Sequence, residues 1–238
     1  MKVSGGWGVG VSSSGTARDR ACSSHGNDVC LVDAALLQRG RAGLAADALV
    51  TALPDVALGV LIADCLPVVL YALGPPGVAV AHAGRMGTYH RVVERTLAVM
   101  TQQCGTLPTQ VHAVLGPAIG ACCSTLDARA VGPFQEAFPA TWAQGFLPQG
   151  PGRWTMDLLM ANRRQRCAAG VPAAQIDIAS LWTVCDHHDL YSHRAEGQEA
   201  GRGMAIVART SWAITSSSST PLAYGRHTNY AHHLPGRR

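Results

Sequence analysis

The sequence predicts an α+β fold, a single domain of mixed β-sheets flanked by helices. Three observations carry that expectation. Short apolar runs of strand length outnumber the stretches with helical spacing. Only some of those runs are separated by helices, which argues against a purely doubly wound sheet. Two of them, Pro67 to Leu73 and Val78 to Ala83, flank the turn Gly74-Pro75-Pro76-Gly77, the pattern of a hairpin. With 238 residues, of which 47% are apolar and 14% charged, the chain has ample length for one buried core.

In chain order, residues 1–24 are rich in glycine and serine and read as an irregular N-terminal segment. His25-Gly26-Asn27-Asp28-Val29 opens a short strand over 29–32, followed by a helix or loop through Leu36 to Leu44. Ala45 to Thr51 leads toward the next strand. Val56 to Ile62 is continuously apolar and partly β-branched, which suits a strand buried on both faces. It delivers the chain to Asp64 and Cys65. Counting Gly74 to Gly77 as the turn sets His82 opposite about residue 69, so Cys65 must fold back at Pro67 to meet it.

Val92, Val93, Leu97 and Met100 then form one apolar face of an amphipathic helix. Gln110 to Leu115 is a further strand, ending at Gly116-Pro117. A second helix is expected over about 126–138, interrupted or capped near Gly132-Pro133. Residues 139–153, with several Gly, Pro and Gln, read as a surface loop. Thr155 is the expected cap of a third helix over 156–169, with Asp157 in its first turn and Gly170 as its stop. Gln175 to Ala179 and Gly203 to Ala208 are the last strands. The domain is thus expected over 25–208, and the tail 209–238, with its SSSST run and three histidines, reads as disordered.

Composition excludes several function classes. The net charge of +4 is mild and the arginines are scattered, so no basic stripe marks a nucleic-acid partner. No apolar run reaches the ~20 residues needed to span a bilayer. The first residues, MKVSGGWGVGVSSSG, lack the apolar centre of a secretory signal. Eight cysteines with no CxxC pair do not form a disulfide scaffold, and reduced thiols in the cytoplasm are expected.

Three stretches carry candidate chemistry. His25, Cys65 and His82 fall at strand edges, and one thiolate with two imidazoles is a ligand type used by catalytic zinc. Cys65 and His82 also suit a nucleophile–base pair, or a core cysteine beside an unrelated edge histidine. His82-Ala-Gly-Arg-Met-Gly87 before a helix offers backbone N–H groups and Arg85 to an anion, or is only a tight turn that needs glycine. Cys185-Asp-His-His-Asp189 has metal-binding composition but also suits a solvated loop, and Cys122-Cys123 reads as core packing rather than a dithiol site.

Five segments together resemble the YfiH-like family, in order and spacing. They are Ala63 to Val68 (ADCLPV), His82 to Gly87 (HAG-x-x-G), Gly116 to Cys123 (GPAIG-x-CC), Asp157 to Arg163 (D-L-x-x-A-N-R), and Ser192 to Arg202 (S-H-R-x-x-G…GR). That family is labelled variously laccase-domain or polyphenol oxidase, peptidoglycan editing factor and purine nucleoside phosphorylase. The resemblance implies an α+β fold and a zinc site, with copper as the alternative, from His25, Cys65 and His82. It implies phosphorolysis of adenosine, inosine and methylthioadenosine, with adenosine deamination beside it, and hence a purine nucleoside and phosphate as partners. Cys65 and His82 would be catalytic, and Arg85 or Arg194 would hold phosphate. Two other readings stand beside this one: a Cys65–His82 hydrolase acting on a peptidoglycan precursor amide, and a degenerate member that only binds ligand or partner. The laccase label ranks lowest, because multicopper oxidation needs several copper sites and the ten histidines show no H-x-H pair.

The chain departs from the family pattern in three places. Only 24 residues precede His25, where the family carries a longer part with a GG-containing strand region, so a truncated or mis-assigned start is expected. HAGRMG lacks the family's tryptophan, and its basic residue has moved one place to Arg85. Ala195 stands where the family has a second arginine beside Arg194.

Overall fold

The structure is a computed structural model that describes residues 25–39 and 45–211, together with the backbone course of strands at 8–12 and 20–22. Its strands are β1 (Gly8–Ser12), β2 (Arg20–Cys22), β3 (Val29–Leu31), β4 (Ala48–Thr51), β5 (Ala57–Ile62), β6 (Leu66–Leu73) and β7 (Pro76–Ala83), then β8 (Val111–Leu115), β9 (Thr125–Asp127), β10 (Phe146–Gly150), β11 (Arg153–Met156), β12 (Ile176–Ile178) and β13 (Gly203–Ala208). The helices are α1 (Ala34–Arg39), α2 (Arg85–Tyr89), α3 (Val92–Cys104), α4 (Ala128–Ala137), α5 (Leu158–Ala168) and α6 (His193–Glu196).

A six-stranded sheet, ordered β12-β8-β6-β7-β4-β3, is the centre. It is mixed: β3 with β4 and β12 with β8 are parallel, and the other pairs antiparallel. Both its faces are buried, which explains the continuous apolar runs. Ala79, Ala81 and Ala83 of β7 face one core with Val92, Leu97 and Met100 of α3. Val78 and Val80 face a second core with Leu58, Val60 and Ile62 of β5. The period-2 alternation of a strand thus sends successive residues of one run into two cores. The expected α+β architecture holds.

Residues 1–24 depart from the irregular reading in part. β1 and β2 extend a second sheet, ordered β13-β5-β1-β2, and β1 runs antiparallel to β5 from Val9 opposite Val60 to Ser12 opposite Ala57. Glycine alternating with valine in GVGV conceals a strand whose pairing comes from a partner some fifty residues on. At the other end, Ser211 N–H donates to Asp55 Oδ1 and Asp55 N–H to the Arg209 carbonyl, so the folded part continues past 208. The rest of the expected tail lies outside the described residues.

Four further expectations are corrected. The hairpin turn is Gly74-Pro75 alone, because Leu73 pairs with Pro76. Pro76 is the first residue of its strand, a position where a missing N–H is tolerated. The loop expected over 139–153 instead holds β10 and the start of β11, a hairpin of a three-stranded sheet ordered β10-β11-β9. Its turn uses positive φ at Gly150 and Gly152. α4 starts at Ala128, capped by Asp127 accepting from Ala130 N–H at 3.0 Å, and runs through Pro133 without interruption. A proline there removes one ladder bond, while Phe134 remains packed against Tyr89 and Phe146. The cap of α5 is Asp157, not Thr155: its carboxylate accepts from Met160 N–H at 2.8 Å, and Thr155 lies in β11.

Candidate metal centre

The site begins at one end of the hairpin. The two-residue turn sets His82 opposite Pro67 and Ala83 opposite Leu66, so Cys65 lies level with Gly84 just past the last pair. Cys65 therefore reaches His82 directly, without the fold-back at Pro67 that a four-residue turn requires. His25 arrives from the segment before β3. Its backbone is left-handed, φ 56°, which is uncommon for a non-glycine residue and stored mainly where function fixes it. The His25 and His82 rings meet edge to face at 5.2 Å between centroids.

The metal-ligating atoms of His25, Cys65 and His82 all lie within 4.8 Å of one another. One sulfur and two imidazole nitrogens at this separation match a borderline-soft divalent ion, with a fourth position left open. Gly84 shows how tightly the sulfur is held, since a Cβ there would stand 2.5 Å from Cys65 Sγ. At Gly87 a Cβ would stand 2.7 Å from the His82 carbonyl oxygen. The glycines of HAG-x-x-G thus make room for the cysteine and for the histidine's own backbone.

Burial sets the electrostatics. It pushes the Cys65 thiol up to about 12, with the Asp64 charge adding to the shift and Arg85 partly opposing it. Burial also brings His82 down to about 4, with His25 adding to the shift and Asp47 opposing it. A proton therefore stays on sulfur and off the imidazole. Moving it from Cys65 to His82 runs against both shifts. The pair is a poor nucleophile–base couple, whereas a cation would lower the thiol and take the neutral imidazole as it stands.

Two aspartates tether the site, and local sequence gives neither away. Buried Asp47 accepts from Gly26 N–H at 3.0 Å and Asp28 N–H at 3.2 Å, while its carbonyl accepts from His82 N–H at 2.9 Å. It joins the His25 turn to the His82 strand. Asp64, at φ 83°, accepts through Oδ1 from Thr183 Oγ1 at 2.6 Å and Ser192 Oγ at 2.7 Å. Its Oδ2 accepts from Arg194 N–H at 2.6 Å. Residues more than a hundred positions on are thereby hung beside Cys65. Asn162, the N of D-L-x-x-A-N-R, is a third tether: its amide donates to Thr88 Oγ1 at 2.8 Å and fixes α2 against α5.

A cavity of about 220 Å³ opens next to the trio, lined by Asp64, Cys65, Arg85, Leu158, His193 and Arg194, among others. The structure thus brings both expected arginines to the cavity that Cys65 lines. Arg194 also donates from Nη1 to the Cys123 carbonyl at 2.9 Å. The Cys185–Asp189 segment is not a mixed metal cluster. Asp186 accepts from Trp182 N–H and His187 Nδ1 lies 3.0 Å from the Val184 carbonyl, both serving the turn. Of the Cys122-Cys123 pair, Cys123 is half-buried and packs against the core as expected, whereas Cys122 is exposed. No helix among the described residues is long and apolar enough to cross a membrane.

Comparison with known proteins places the chain in a family. The family model described as multi-copper polyphenol oxidoreductase laccase matches residues 15–210. Purine nucleoside phosphorylase YlmD of Geobacillus stearothermophilus is 32% identical over 163 residues, 68% of this chain and 60% of that protein. Adenosine deaminase RL5, from an unknown prokaryotic organism, is 35% identical over 68% of this chain and 62% of its own length. The chain thus spans about three fifths of the length of these relatives. The crystal structure of the Bacillus licheniformis hypothetical protein YfiH superposes with a TM-score of 0.74 at 30% identity, covering 80% of this chain and 73% of the other. By its matched length and its fold, the chain belongs to the multi-copper polyphenol oxidoreductase laccase family.

Proposed function

We propose that the chain is a zinc-dependent purine nucleoside enzyme, cleaving adenosine, inosine and methylthioadenosine with phosphate and deaminating adenosine beside that. One observation carries the reading: Cys65 belongs both to the His25–Cys65–His82 trio and to the wall of the cavity that holds Arg85 and Arg194. The names of the relatives, a purine nucleoside phosphorylase and an adenosine deaminase, support purine nucleosides as the substrate class. Reduced thiols suit a cytoplasmic setting.

His25, Cys65 and His82 would hold the ion, which supplies Lewis acidity at the cavity wall. In phosphorolysis a phosphate oxygen bonds to the ribose C1′ as the bond from C1′ to the base nitrogen breaks. The bonding pair leaves with the base, which then takes up a proton. Arg85 and Arg194 bind and orient the phosphate dianion toward C1′, which becomes electron-poor as the bonding pair departs with the base. Arg194 suits this role because its backbone is fixed by Asp64 and its guanidinium by the Cys123 carbonyl. His82 is buried behind Cys65, which lines the cavity wall.

The hydrolase reading is disfavoured by the proton affinities of Cys65 and His82, which oppose a thiolate–imidazolium pair. The test is product analysis of full-length, zinc-loaded protein given adenosine with and without phosphate. Adenine that requires phosphate, together with inosine, is expected, and both should vanish in Cys65→Ala. If neither product forms, or Cys65→Ala leaves them unchanged, the reading fails.

A further inference from the structure

Cys122, Cys123 and Cys185 form a second sulfur cluster that the nucleoside chemistry does not use. Their sulfurs are 3.4 Å (122–185), 3.4 Å (122–123) and 3.8 Å (123–185) apart, and none is in a disulfide. Sixty-two residues separate Cys123 from Cys185. The meeting is built by the backbone: Ala118 bridges Trp182, and Thr183 N–H donates to the Ala118 carbonyl at 3.0 Å. Thr183 and Arg194, on either side of Cys185, are both bound to Asp64.

We propose that these three cysteines bind a zinc-like divalent d10 ion as thiolates, clamping the segment that carries Thr183, Ser192 and Arg194 onto the 116–123 turn. Tetrahedral thiolates at ~2.3 Å from zinc stand about 3.8 Å apart, close to the spacing seen. An ion ~2.3 Å from all three sulfurs would lie about 1 Å out of their plane, on a pyramid with a fourth position open. A planar three-thiolate ion would need sulfurs about 4.0 Å apart, further from what is observed. Cys122 and Cys185 are exposed, so the cluster is reachable from solvent. Binding releases the thiol protons and breaks no other bond, so the step needs no oxidant.

The test uses the full-length chain, stripped of metal under reducing conditions and titrated with zinc, then with cobalt as a spectroscopic substitute. Two zinc equivalents are expected per chain, one in Cys185→Ser and one in Cys65→Ser. In the Cys65→Ser background the remaining ion should protect three thiols from a disulfide reagent and raise Tm. Thiolate-to-cobalt absorption should fall to about a quarter in Cys185→Ser, because one thiolate of four is left. Cys122→Ser serves as an independent variant should Cys185→Ser fold poorly. The proposal is overturned if Cys185→Ser and Cys122→Ser bind as much zinc as the parent. It is equally overturned if the parent, kept reduced, shows a mass lower by two hydrogens and no second equivalent, which would identify a redox pair. Loss of the His25–Cys65–His82 ion alone would lower the parent and Cys185→Ser totals by one equivalent each, and would leave the thiol protection and the Tm shift in Cys65→Ser unchanged.

Discussion

Replacing Gly84 by alanine isolates the hold on Cys65. Gly84 has φ −71° and ψ −172°, extended backbone open to any residue, so the substitution adds no dihedral strain. What it adds is a methyl 2.5 Å from Cys65 Sγ and 3.3 Å from Cys65 Cβ. Carbon and sulfur rest no closer than about 3.5 Å, so the sulfur must move by roughly 1 Å. Leu66 and Ala83, both fully buried, keep the two strands from separating to absorb it. Metal ligands tolerate only about 0.2 Å, so the shift should lower zinc affinity at the trio by at least ~10-fold. Overpacking of this kind costs about 1–3 kcal/mol, and at this chain length each kcal/mol lowers Tm by roughly 2–4 °C. Chelator competition on Cys185→Ser protein reads the affinity, and thermal unfolding in chelator reads the packing. A lowered Tm with unchanged zinc affinity would show that Cys65 is not a ligand. An unchanged Tm would show that the strand ends are looser than their packing implies.

Asp64→Asn keeps the left-handed backbone, which asparagine tolerates, but turns one acceptor oxygen into a donor facing Thr183, Ser192 or Arg194. A loss of about 1.5–3 kcal/mol in denaturant unfolding is expected, with a raised KM for phosphate; an unchanged KM would detach Arg194 from phosphate binding. In the metal-free chain His82 is neutral when folded down to about pH 4, while the unfolded histidine takes a proton below 6.5. Its contribution is therefore complete above pH 6.5 and falls by up to about 3 kcal/mol as pH drops toward 4, a slope that urea titrations should lose in His82→Gln. Because Cys65 holds its proton up to about pH 12, zinc binding to Cys185→Ser protein at pH 7 should release about one proton, read by calorimetry in buffers of different ionisation enthalpy. No release would remove Cys65 from the ligand set.

The sequence announces those parts of the molecule that depend on local pattern. The two-sided burial of β5, the apolar face of α3 and the hairpin of β6 and β7 are each written in the spacing of neighbouring residues. The trio is legible for the same reason, since Cys65 and His82 bracket one hairpin and both end at its rim. Register is less visible: it turns on whether Pro76 counts as turn or strand, and proline's missing N–H suits both. β1 and β10 stay hidden because glycine or proline interrupts their apolar pattern, and what makes them strands is pairing with β5 and β11.

Least legible are the tethers, where one carboxylate does for a whole segment what a sheet does for a strand. Nothing in ADC distinguishes Asp64 from a surface acid beside a cysteine, because its partners lie 119 to 130 residues on. The same is true of Asp47, whose two amide donors lie 19 and 21 residues back. These two residues link Cys65 to its distant neighbours, Asp47 on the His25 side and Asp64 on the Arg194 side of the cavity. The sheet fixes Cys65 and His82 rigidly. His25 and Arg194 are drawn in through two different aspartates, Asp47 and Asp64, so the geometry on either side can fail separately. Losing the Asp47 tether should release His25 while Arg194 stays in place. Losing Asp64 should free Arg194, and with it the segment that carries Cys185 to the second sulfur cluster, while His25 remains where Asp47 holds it.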